Sequence, residues 1–193
     1  LHAMGGMLAA VIGLSTIFFY VVIYTIWLKP RTPQNIVIGG AAGATAPLIA
    51  SAAMTGHISL GAWILFAIIF LWTPPHFWAL AIHSSEEYKK AEIPMLPVTH
   101  GLEFTRVQIL LYTVLLFLVT LLPYLTGMSG LIYLICAASL GLLFLGYSVK
   151  IFLEPENPKI AFKTFKYSIN YLMVLFLGLL VDHYLLMNFG AAL

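Results

Sequence analysis

Six long runs of apolar residues, separated by short polar segments, organise the sequence: Met7–Leu28, Ile36–Met54, Leu60–His83, Val107–Thr126, Leu131–Leu153 and Tyr167–Met187. Each is close to the roughly 20 residues that a helix needs to cross the hydrocarbon core of a bilayer. Sustained two-residue alternation is absent, which disfavours a β-barrel. Backbone groups in lipid must pair internally, and that leaves helices. The pattern predicts an all-α, polytopic transmembrane bundle in a single domain over residues 1–193. Loops are expected near 29–35, 84–106 and 154–166.

Composition removes the soluble alternative. Of 193 residues, 62% are hydrophobic and 8% charged, whereas soluble domains carry about 25% charged residues. Membrane lipid is therefore the expected surrounding. A net charge of +2, with no basic cluster interleaved with aromatics, excludes a nucleic-acid partner. The one cysteine, Cys136, sits mid-run and reads as a small buried hydrophobe. The first residues carry neither a basic n-region nor a small-residue cleavage site, so no signal peptide is read there. They also lack an initiating Met, which suggests a fragment.

Charge then orients the bundle. Lys29 and Arg31 follow the first run, and Lys89, Lys90 and Arg106 lie between the third and fourth. Lys150, Lys159, Lys163 and Lys166 lie at or between the fifth and sixth, which accounts for all nine basic residues. They share one face, and the positive-inside rule makes that face cytoplasmic. Glu86, Glu87, Glu92, Glu103, Glu154 and Glu156 share it; Asp182, late in the last run, does not. Both signs on one face suit an ionic substrate or a metal, and equally suit plain solvated loops.

Four strings can carry chemistry. Tyr24–Asn35 places Lys29 and Arg31 at a helix end between prolines, just before a new helix. Arg can grip phosphate in two-pronged fashion, Lys adds point charge, and a helix N-terminus favours anions. A simple topological anchor has the same composition. Glu86-Glu87-Tyr88-Lys89-Lys90-Ala91-Glu92 supplies hard oxygen donors of the kind Mg²⁺ takes beside phosphate and water. The lysines can instead neutralise these acids as helical ion pairs.

The third string, Leu71–Ile82, holds Pro74-Pro75, which removes ladder hydrogen bonds and is expected to kink the helix. His76 follows at once, and an ionisable residue at membrane depth is a functional candidate. Trp72, Phe77 and Trp78 can line a pocket for a flat or polyisoprenoid ligand, or face lipid. The fourth, Gly39-Gly40-Ala41-Ala42-Gly43-Ala44, permits close helix approach, with a cavity wall as the lesser reading.

Together these strings resemble the haem O synthase (protohaem IX farnesyltransferase) family of the UbiA prenyltransferase superfamily. The matching pieces are Tyr24–Ile38, Gly39–Pro47, Leu71–Ile82 and Glu87–Val98, followed by His100-Gly101. The resemblance implies transfer of farnesyl from farnesyl diphosphate to a vinyl carbon of haem B, with Mg²⁺ as cofactor. It implies a bacterial inner membrane and haem A synthase as a downstream partner.

Carried over, Lys29 and Arg31 hold the diphosphate with Asn35 in support. Glu86 and Glu87 are metal ligands, with Glu87 preferred because it precedes the motif tyrosine where the family commonly has Asp. Tyr24, Trp72, Tyr88 and Lys90 contact substrate, and His76 contacts haem as axial ligand or propionate partner. The family's first aspartate-rich motif has no counterpart, since no Asp precedes Asp182. The resemblance therefore implies the C-terminal two-thirds of a nine-helix domain, inactive alone. A UbiA-type enzyme for another aromatic acceptor, such as 4-hydroxybenzoate, and a transporter remain alternatives; kinked helices and an intramembrane His fit transport as well.

Overall fold

The computed structural model describes residues 2–155 and 157–190. Glu156, counted above among the acids of the charged face, lies outside the described residues. All regular elements among the described residues are helices, and six stretches are long and apolar enough to cross a membrane. The first is α1 (His2–Phe18), continued by a π-helix (Phe19–Leu28). The second is split into α2 (Asn35–Gly43) and α3 (Ala46–Thr55). Next come α4 (Leu60–His83), two short helices α5 (Ser85–Lys90) and α6 (Leu96–Thr99), and α7 (Gly101–Thr120). A single turn, α8 (Leu122–Leu125), precedes α9 (Leu131–Leu153) and α10 (Pro158–Gly190).

Helices α4, α7, α9 and α10 contact one another in a closed ring, while α2 and α3 attach to that ring through α4. Half of the most apolar window of α4 is buried, against 11% for the first span, so α4 is the shared wall of the molecule. The ring interior is filled by Ile64, Ile68, Leu116, Tyr133, Phe144, Tyr171 and Leu175. Glycines bring the helices close: a methyl group added at Gly141 would meet the Phe117 ring, and one at Gly178 the Cys136 sulfur. Cys136 itself is half-buried rather than buried, because it lies at that contact edge.

Several boundaries differ from the hydropathy pattern. Helices α7 and α10 begin at Gly101 and Pro158, well before Val107 and Tyr167. Hydropathy stops at Glu103, Arg106, Lys159, Lys163 and Lys166, but charged side chains at a helix end reach the interface and leave the backbone helical. The loops are correspondingly shorter. The second span breaks at Ala44-Thr45, where the Thr45 hydroxyl turns back to the Ala42 carbonyl (2.8 Å) and Pro47 opens the next helix. Helix α4 keeps the bounds of the hydropathy pattern, Leu60–His83, with Pro74 and Pro75 inside it.

Asp182 is buried at the charge-poor end. Its carboxylate accepts from Ser129 Oγ (2.6 Å), Gly130 N (2.5 Å) and Tyr133 N (3.2 Å). It thus caps the N-terminus of α9 from a different helix, answering N–H groups that have no partner within their own helix.

Candidate functional site

The site starts at the π-helix, Phe19–Leu28. Its residues are mostly β-branched or aromatic, types that lose side-chain freedom against the preceding α-helical turn. The wider winding is carried by bonds five residues apart, among them Lys29 N to Tyr24 O at 2.9 Å. The Thr25 hydroxyl adds a bond to Tyr20 O at 2.8 Å. π-Turns concentrate at functional sites. Here the winding places Tyr20 and Tyr24 side by side, ring centroids 5.4 Å apart, and delivers Lys29 at the helix end.

Lys29 and Arg31 are both exposed in the turn that follows. Asn35, at the start of α2, is buried and donates Nδ2 to the Lys29 carbonyl (3.4 Å). Because that partner accepts only, the amide orientation follows, and Oδ1 is the atom left without a partner. Buried polar atoms are nearly always satisfied, so an orphaned acceptor marks a place for a donor.

The acidic loop reaches the same end of the molecule. Ile36, next to Asn35, packs in one apolar cluster with Trp78, Ile82, Met95 and Leu96, and Tyr88 and Ile93 lie against it. Much of the string Ile93–Val98 is therefore a clamp that fastens the loop. Glu86, Glu87 and Lys90 are exposed on α5, and Tyr88 is half-buried beneath them. The loop turns by a Schellman motif: Ile93 N bonds Tyr88 O (3.1 Å) and Glu92 N bonds Lys89 O (3.2 Å). Glu92 consequently sits at φ 54°, a conformation that favours glycine. Among the described residues no three of His, Cys, Asp or Glu gather as a ready-made metal site. The acids of α5 can therefore supply one or two donors, which is what Mg²⁺ takes when a substrate phosphate and water complete its shell.

Below the loop lies a cavity of about 240 Å³ lined by Tyr20, Tyr24, Gly39, Gly43, Trp72 and Thr73, among others. A methyl group at Gly39 would strike the Tyr24 ring and one at Gly40 would come 2.9 Å from Thr73 Cγ2, whereas Gly43 has nothing within 4 Å. The glycine string thus does both jobs considered for it: Gly39 and Gly40 permit close packing, and Gly43 leaves the cavity wall open.

Trp72 and His76 are fixed from α10. Trp72 Nε1 donates to the Ser168 carbonyl (2.8 Å), and His76 Nδ1 lies 2.7 Å from Ser168 Oγ. The imidazole stacks between Trp72 (4.2 Å) and Phe165 (4.7 Å), with Phe77 edge-on. Trp78 points elsewhere, into the cluster beneath the acidic loop. Tyr20, Thr73 and Ser168 belong to this region without having been singled out from sequence. Tyr20 precedes Tyr24 by four positions, a readable signal; Ser168 is 92 residues from His76 and leaves none.

The protohaem IX farnesyltransferase of Vesicomyosocius okutanii is 61% identical over 170 residues, covering 88% of this chain and 57% of the relative. Those of Ruthia magnifica and Alcanivorax borkumensis are each 63% identical over 166 residues, covering 86% of this chain and 56% and 54% of the relatives. The chain thus spans little more than half the length of these relatives. A solved structure described as concerning digeranylgeranylglyceryl phosphate synthase in membranes shares the fold, with TM-score 0.82 at 22% identity over 93% of this chain and 63% of the other. Residues 1–170 match the UbiA prenyltransferase family, and the chain belongs to that family of membrane proteins.

Proposed function

We propose that the protein carrying this chain transfers farnesyl from farnesyl diphosphate to a vinyl group of haem B, forming haem O within the membrane. The observation that carries this reading is the 61–63% identity to relatives named protohaem IX farnesyltransferase, over 86–88% of this chain. The reading places the charged face in the cytoplasm of a bacterial inner membrane, following the positive-inside rule. The product is then available to a haem A synthase.

Lys29 and Arg31 take the diphosphate at the mouth, where their exposure lets a charged headgroup arrive from water. Glu87, with Glu86, would hold Mg²⁺, and Mg²⁺ would supply neutralisation of the charge that grows on the leaving group. The orphaned Asn35 Oδ1 is an acceptor, so it would support this site through a donor such as an ordered water and not by direct contact with phosphate oxygen. On this reading Tyr88 and Lys90, both on α5, contact substrate beside Glu86 and Glu87.

The C–O bond to the diphosphate breaks with its electron pair leaving on oxygen. The allylic cation so formed lies in the cavity walled by Tyr20, Tyr24 and Trp72, whose ring faces stabilise positive charge. The vinyl π-electrons form the new C–C bond. Water adds to the resulting cation and releases a proton, leaving the hydroxyl. A farnesyl-transfer assay with haem B, in membranes expressing the full natural reading frame, tests the reading. Haem O is the expected product. A product formed only with an aromatic acid such as 4-hydroxybenzoate, or flux without any product, overturns it.

A further inference from the structure

The hydrogen bonds around Ser168 determine which nitrogen of His76 carries its proton. Ser168 Oγ lies 2.6 Å from the Phe165 carbonyl and 2.7 Å from His76 Nδ1. A hydroxyl has one proton, and a carbonyl oxygen can only accept. The Ser168 proton is therefore given to Phe165, and the same oxygen must accept from His76. That requires a proton on Nδ1. A neutral imidazole has one N–H, so Nε2 presents a lone pair.

The charged alternative, protonated on both nitrogens, is opposed by the surroundings. His76 is 7% exposed at membrane depth. Its ring partners among the described residues are Trp72, Phe77, Phe165 and Ser168, none of them acidic. A buried cation without a counter-charge is costly in such a place. The Ser168 carbonyl meanwhile anchors Trp72, so one residue of α10 holds two side chains of α4.

We propose that Ser168 is a positioning residue that locks His76 as the Nδ1–H tautomer, so that the imidazole meets its substrate through an unprotonated Nε2. This rests on the haem reading above and sharpens it. Toward haem B, an Nε2 lone pair is an electron-pair donor to the iron and cannot donate a hydrogen bond to a propionate. Of the two haem contacts considered for His76, this tautomer suits axial ligation and cannot donate to a propionate. The arrangement is that of a metal-ligating histidine whose other nitrogen is held by an outer partner.

Two measurements on the purified protein separate the inference from the reading it rests on. The first is ¹⁵N-histidine NMR without haem, with His76 assigned by comparison with His76→Ala. Wild type is expected to show a protonated Nδ1 and bare Nε2, Ser168→Ala a mixture of tautomers, and Ser168→Thr the wild-type pattern. A proton on Nε2 in wild type, or unchanged nitrogen shifts in Ser168→Ala, overturns the inference. The second is titration with haem B followed by the Soret band. Ser168→Ala is expected to weaken haem binding by about tenfold or more, as loss of an outer partner does, with Thr restoring it. If haem binds with a Soret band unaltered in His76→Ala, axial ligation is overturned. If haem does not bind at all, the haem reading fails, and the nitrogen spectrum still decides the tautomer. Ser168→Ala keeps the carbonyl that anchors Trp72, and unchanged tryptophan fluorescence verifies that the fold is retained.

Discussion

The two ends of the bundle use similar parts differently. At the charge-poor end, the Asp182 carboxylate meets the start of α9, and three donors converge on it from Ser129, Gly130 and Tyr133. At the charged end, the Asn35 amide sits at the start of α2 with one atom bonded and the other, Oδ1, buried and unanswered. The first is a finished structural joint. The second has an unused acceptor beside two exposed cations. An intramembrane carboxylate invites a functional reading, yet here the donors already use it. What separates the two ends is the group left over, and the charged residue alone is a poor guide.

Substitutions can break that contrast. The largest effect is expected for Asp182→Ala, which strands three donors at once. A loss of about 3 kcal/mol follows from removing charge-assisted hydrogen bonds while leaving buried groups unpaired, and thermal unfolding in detergent measures it. Asp182→Asn should lose less, since the amide oxygen still accepts. Farnesyl transfer per folded molecule should be unchanged in both.

Lys29→Ala combined with Arg31→Ala should behave in the opposite way. Both residues are exposed, so stability should stay within about 0.5 kcal/mol. Farnesyl transfer should fall by about 100-fold, the scale set by removing stabilisation of developing charge. Normal product formation by this double variant would sink the diphosphate assignment.

A smaller effect distinguishes the glycines. Gly39→Ala must displace the Tyr24 ring and should cost about 2 kcal/mol, as overpacking does. Gly43→Ala has open space and should leave the unfolding midpoint nearly unchanged while narrowing the cavity, which substrate KM would report. The smallest effect is a gain. Glu92→Gly relieves a left-handed residue and should stabilise the protein by about 1 kcal/mol. If the Glu92 carboxylate instead serves the metal, transfer activity would drop despite that gain.

Much of the fold was legible because lipid sets a length: six apolar runs gave six spans, and the ends of α4 and α9 fell where hydropathy changed. The starts of α7 and α10 were not, because hydropathy scores a lysine as an ending while the helix backbone is indifferent to it. The π-winding of Phe19–Leu28 was hidden for a different reason. It shifts hydrogen-bond register by one residue, and an all-apolar stretch carries no periodicity to record the shift. At the site, contiguous strings named Tyr24, Lys29, Arg31, Trp72 and His76, and the structure places Tyr24 and Trp72 on one cavity. Ser168 was out of reach, since its importance lies in contacts to residues 92 and 96 positions away.

The trans-helix cap also constrains how the molecule is made. The donors at Ser129, Gly130 and Tyr133 leave the ribosome roughly 50 residues before the acid that answers them, with separations of 53, 52 and 49. Until α10 is in place, the start of α9 has only water or lipid headgroups to bond. Final seating of the start of α9 therefore waits for α10.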